Sequence, residues 1–207
     1  MNMYLLGNHL DCFVFFNCLE WSISGLLTTN KIVDEKLGRN FSSMTHAIGS
    51  VLYNGLYMLD SPNISLYKDS IAWSTGYFLY DTYYMARWEN FNILRAAYYY
   101  HHLAAIYIIH KPPQTYFGDK ILFWGELSNI PSYMVYYYMK TQPGSKTLAF
   151  WKFIQKCFYC GIRLPVMTYL LFNMLKNRKP DTSIYPVLSV IPVYFMGLIW
   201  SCKLLRN

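Results

Sequence analysis

His101 and His102 stand side by side inside an apolar, tyrosine-rich stretch, and three further apolar stretches each hold one ionisable residue far from their ends: Asp81, Glu126 and Arg163. A buried imidazole can take a proton as a general base when a carboxylate orients it, so His101 or His102 with Asp81 is the candidate catalytic set if the chain is an enzyme. The same groups can instead hold the polar head of a lipid. Adjacent helix positions lie about 100° apart, so the two histidines cannot point the same way. That spacing is also poor for two metal ligands, which need i,i+3 or i,i+4 on one helix, and no metal is expected. Arg163 in Gly161-Ile162-Arg163-Leu164-Pro165 reads either as a counter-ion for Asp81 or Glu126 or as a planar fork for an anionic head group.

The neighbours of these residues extend the candidate head-group or cavity set to Tyr77, Ser128 and His46. Tyr77 lies four residues before Asp81 and Trp73 eight before it, so all three share a helix face. Their hydroxyls and rings would stabilise the carboxylate and wall its site. Glu126 precedes Ser128, Asn129 and Pro131, and Pro131 frees a backbone carbonyl near Leu127. His46 falls near the start of a predicted span and reads as interfacial. Against all these readings stands plain helix packing, in which a membrane hydrogen bond averages only about 0.6 kcal/mol.

Charge at the bilayer centre costs roughly 2.5–3.5 kcal/mol on insertion scales, so three such residues facing lipid would cost on the order of 8–10 kcal/mol. They are expected to converge inward. Only 14% of residues are charged and 54% are hydrophobic, a balance that favours a membrane protein over a soluble domain. Apolar stretches at Tyr4–Leu27, Phe41–Leu59, Asp69–Met85, Leu94–His110, Tyr116–Met139, Leu148–Leu175 and Ser183–Leu204 predict an all-α, polytopic membrane helical bundle of about seven (six to seven) transmembrane helices around a central cavity. Six spans with an interfacial first helix is the alternative. Residues 1–40 read as a first span or signal anchor plus a basic loop, and 41–207 as the membrane domain. Breaks fall at Asp60–Asn63, Lys111–Pro113, Gln142–Gly144 and Asn177–Pro180.

The net charge of +7 is spread over short loops, which fits positive-inside topology and not nucleic-acid binding. Counting Lys and Arg on alternate sides places the C-terminus in the cytosol. Five cysteines, all in or at the ends of predicted spans, read as small buried residues and not as a disulfide framework.

In chain order, His46, Tyr80-Asp81, His101-His102, Glu126-Leu127-Ser128 and Arg163-Leu164-Pro165 resemble the TLC-domain family, the membrane region shared by ceramide synthases, translocation-associated membrane proteins and several lipid-linked relatives. The resemblance runs from about Phe41 to Leu204. It implies a helical bundle in the endoplasmic reticulum or another internal membrane, with a cavity for lipid chains. The Asp pair that follows the His pair in the synthases has no counterpart here, and Glu126-Leu127-Ser128 is closer to the shorter, non-synthase relatives linked to lipid homeostasis. The expected function is therefore binding of a membrane lipid or acyl chain, with influence on membrane lipid composition and no cofactor. The rival is an N-acyltransferase using acyl-CoA as co-substrate, and a further one is a membrane cargo receptor or assembly factor.

Overall fold

Local signals in the sequence mark individual helix ends. Asn92 lies in extended backbone and its side chain accepts the Arg95 N–H at 3.0 Å, capping the helix that follows. Ser145 does the same for Leu148 at 3.1 Å. Between them Gln142-Pro143-Gly144-Ser145 forms a tight turn, closed by a Ser145 N–H to Gln142 carbonyl bond of 3.2 Å. Gly144 has φ +78°, which glycine adopts without steric cost, and proline ahead of it suits this turn.

The computed structural model describes residues 10–19, 22, 35–59, 64–88, 90–177 and 183–206. It is all-α over them: α1 (Leu10–Leu19), α2 (Glu35–Leu59), α3 (Ile64–Trp88), α4 (Ile93–Ile109), a single turn α5 (Pro113–Tyr116), α6 (Gly118–Thr141), α7 (Lys146–Lys156) and, through a π-helical segment Cys157–Arg163, α8 (Leu164–Lys176), then α9 (Tyr185–Arg206). Much of the predicted first span, the break at Asp60–Asn63 and Arg178–Pro180 lie outside the described residues. The π segment follows from Pro165. Proline has no N–H for the Gly161 carbonyl, and Leu164 bonds instead to Tyr159, five residues back.

Six long elements close into a ring. α3 packs on α2, α2 on α6, α6 on α7 and the π segment, α8 on α9, α9 on α4, and α4 back on α3. Neighbours run antiparallel. Along α2 and α3, Tyr57 meets Tyr67, Ser50 meets Ser74 at 3.2 Å, Tyr77 reaches Ser43, and Arg39 reaches Asp81. This arrangement gathers the start of α2, the end of α3, the start of α4 and the end of α6 at one end of the bundle. α1 rests against α2 and α3 through Phe16, whose ring lies 4.7–6.2 Å from those of Trp73, Tyr77, Tyr80 and His46.

On α2 the usual placement of polar and apolar residues is reversed. Its buried face carries Asn40, Ser43, His46, Ser50 and Asn54, while Ile48, Leu52, Leu56 and Leu59 point outward. Leu103 on α4, Phe172 on α8 and Phe195 and Ile199 on α9 are exposed in the same way. By length and composition, Lys146–Lys176 and Tyr185–Arg206 are each long and apolar enough to cross a membrane.

One expected boundary is corrected. The basic loop read as reaching residue 40 is helical from Glu35 onward, which brings Arg39 and Asn40 into the bundle. α6 runs through Pro131 to Thr141, as the predicted span Tyr116–Met139 does.

Candidate functional site

Arg39 sits one turn into α2, on the face that continues through Ser43 and His46. From there it grips Asp81 of α3 with two bonds, Nε to Oδ1 at 2.6 Å and Nη2 to Oδ2 at 2.9 Å. Such a fork-to-carboxylate pair is strong and geometrically specific. Asp81 also faces His102 Nε2 at 3.4 Å, and His102 Nδ1 lies 3.0 Å from the Thr82 hydroxyl. Both ring nitrogens of His102 therefore have partners on α3, which fixes its ring. His101, one residue earlier, turns toward the bundle interior.

A second network lies beside the first. The His46 ring stacks on Tyr77 at 3.9 Å with planes 8° apart, and its Nε2 lies 3.0 Å from Ser50 Oγ. His46 Nδ1 faces Glu126 Oε2 at 3.9 Å, beyond hydrogen-bond reach. Asn129 donates to Glu126 Oε2 at 3.3 Å, and its own oxygen accepts from Arg163 Nη1 at 2.6 Å. Arg163 Nη1 also lies 3.4 Å from the Gly125 carbonyl and from Ser128 Oγ, and its guanidinium sits 4.7 Å over the Tyr159 ring.

These networks wall a chamber of about 460 Å³ inside the ring, a volume in the range of small-molecule sites. Lys36, Arg39, Asn40 and Ser43 line it from α2, Tyr77 and Asp81 from α3, Arg95, Tyr98, His101 and His102 from α4, Glu126, Asn129, Ser132, Tyr133 and Tyr136 from α6, with Tyr159 and Trp200 closing the wall. Three cationic side chains (Lys36, Arg39 and Arg95) stand against two carboxylates (Asp81 and Glu126), and five tyrosines add hydroxyls. An apolar slot of about 70 Å³ adjoins the chamber, sharing Phe78, His101 and Glu126 with its wall, and lies between α4, α6, α8 and α9 beside Ala105, Leu122, Met167, Val190 and Val193. A side cavity of about 90 Å³ lies under Tyr98, Tyr159 and Trp200. His101 borders all three spaces. Among the described residues no set of three or more His, Cys, Asp or Glu side chains is arranged to hold a metal ion.

Asp81, Tyr77, His101, His102 and Glu126 thus converge on one chamber, while Arg163 borders the slot and the side cavity. Four expectations change. His46 is fully buried in the middle of its helix, not interfacial, and lies behind Tyr77. Ser128 is buried and donates to the Gly125 carbonyl at 2.7 Å, so it braces the wall and does not face the chamber. Tyr77 donates to Ser43 at 2.7 Å and not to Asp81, whose counter-ion is Arg39 and not Arg163. Arg39 and Asn129 were missed. The signal for Arg39 was its spacing, four and seven residues ahead of Ser43 and His46, on the face that α2 buries. Asn129 is three residues from Glu126 and so adjoins it on α6. Comparisons with protein-family models, with curated proteins and with solved structures give no match.

Proposed function

We propose that this chain is a multi-span membrane protein of the TLC type that binds a lipid or acyl chain within its bundle and so influences membrane lipid composition. The polar head occupies the chamber and the tail enters the slot. The observation that carries the reading is the reversed packing. A ring of helices turns Ile48, Leu52, Leu103, Phe172 and Phe195 outward while enclosing Asp81, His102, Glu126 and a row of Ser and Asn side chains. In water that outer surface would be a large apolar patch, whereas against acyl tails it needs no cover. Lys36, Arg39, Arg87, Arg95, Lys140, Lys146, Lys203 and Arg206 belong to the helix ends on the chamber side, so that side faces the cytosol under the positive-inside rule. The host is an internal membrane such as the endoplasmic reticulum.

Native mass spectrometry of the chain released gently from membranes tests this reading. One lipid class retained at one copy per chain supports it, and lipid-free protein across several mild detergents refutes it.

A second reading, acyl transfer from a coenzyme A thioester to an amine, is favoured by the position of His101 where the polar and apolar spaces meet. The imidazole would take the amine proton while the carbonyl carbon exchanges its C–S bond for a C–N bond, and would return that proton to the sulfur as coenzyme A leaves as its thiol. Turnover of labelled acyl-CoA with a sphingoid base, lost in His101→Ala, supports the enzyme. Absence of turnover in protein that retains lipid leaves the binding role alone.

A further inference from the structure

Glycine inside a helix is destabilising relative to alanine unless a close contact or a special conformation requires it. Gly118 has such a reason, since a Cβ there would stand 3.2 Å from the Ile108 carbonyl oxygen and the Ile109 Cα. Gly197 has none. It is buried in the middle of α9, yet a Cβ built on it meets no atom within 4 Å. What Gly197 supplies is space, and that space belongs to both the apolar slot and the side cavity. Across the slot Gly125 of α6 repeats the pattern more weakly, its Cβ reaching only the Met167 Cε at 3.6 Å. The two bare backbone positions leave a narrow passage that begins beside His101 and Glu126 and runs between Leu164, Met167 and Val193.

We infer that this slot takes the tail of a single-chain amphiphile, such as a fatty acid or a one-chain lipid, and that Gly197 is the position that sets how much of the tail enters. The inference rests on the reading of the chamber as a ligand site and adds the class of ligand to it. The volumes carry the choice of one chain. The slot holds about 70 Å³ against about 460 Å³ for the chamber, so it admits the end of one narrow tail and not two side by side. The chamber carries the charged groups Lys36, Arg39, Asp81, Arg95 and Glu126, which suit a polar head. Each methylene kept out of an apolar site weakens binding roughly fourfold. Gly197→Ala, which displaces about one methylene, should weaken binding roughly fourfold, and Gly197→Leu, which fills the passage, roughly 15- to 60-fold.

The test uses the full chain in lipid nanodiscs with two photoactivatable probes, a fatty acid bearing a diazirine near its end and a two-chain phosphatidylcholine bearing the same group. The fatty acid should label the α8–α9 wall around Met167 and Val193, with labelling falling in Gly197→Ala and nearly lost in Gly197→Leu while the melting temperature is held. Should Gly197→Leu fail to fold, Gly197→Ala still reads the effect, because its Cβ enters open space. Equal labelling of wild type and both variants overturns the inference, as does labelling of the same wall by the two-chain probe. Labels confined to chamber residues such as Tyr98 or Tyr133 overturn the slot and leave the ligand site standing. A bundle interior unlabelled by either probe overturns both.

Discussion

Replacing Arg39 by methionine keeps the length of the side chain but removes both donors from Asp81, whose side chain is only 6% exposed. The carboxylate is then left with His102 at 3.4 Å as its nearest partner. Breaking a buried ion pair by deleting one member costs about 3–5 kcal/mol, because the remaining charge is stranded. Arg39 itself is 20% exposed, so water screens the pair from its side and the lower end, about 3 kcal/mol, applies. For a chain of this length that corresponds to a fall of roughly 6–12 °C in melting temperature. Asp81→Asn leaves the more accessible partner behind and should cost only about 1–2 kcal/mol. Joining Arg39→Met to Asp81→Asn removes both charges, and the double variant should recover about 2 kcal/mol relative to the sum of the single losses. Thermal unfolding of the four proteins in one detergent, followed by tryptophan fluorescence, measures all of this. Effects that add to within about 0.5 kcal/mol would refute the pairing, and with it the claim that Arg39 belongs to the site.

Other perturbations probe separate parts of the account. Gly49→Ala places a Cβ 2.5–2.7 Å from the Trp73 indole, which must leave its 3.1 Å bond to the His46 carbonyl; overpacking of this kind should cost about 1–3 kcal/mol and shift the tryptophan emission. Leu52→Lys puts a charge on the outer face of α2, near the middle of the predicted span. In a bilayer it should cost about 2.5–3.5 kcal/mol and cut the inserted fraction in a microsomal assay, whereas an aqueous surface would absorb it within about 0.5 kcal/mol. Arg163→Gln removes the charged donor to Asn129 and should lower stability by about 1–3 kcal/mol, read in the same melting assay.

The sequence carried the helices better than the contacts between them. Predicted spans at Asp69–Met85 and Leu94–His110 fall on α3 and α4, and Leu148–Leu175 falls on the α7–α8 helix, because apolar length and the Pro, Gly and Asn residues that bound it are local properties. Asp81, His101, His102 and Glu126 were legible as one site for a different reason: charge inside an apolar stretch has few places to go. Arg39 was hidden because a basic residue before an apolar run reads as the loop that anchors it, and only the buried spacing with Ser43 and His46 tells otherwise. The choice of Arg39 over Arg163 for Asp81 depends on which helices are neighbours in the ring. That is a property of the packed bundle, as is the stacking of His46 on Tyr77.

A density map of the chain in a lipid nanodisc tests the central claim most directly. It should show acyl density around Leu52, Leu103, Phe172 and Phe195, and a separate elongated density running from the Lys36–Arg95 mouth past His101 toward Gly197. Helices splayed so that Asp81 and Glu126 face different surfaces, or an outer apolar face covered by protein in place of lipid, would contradict it.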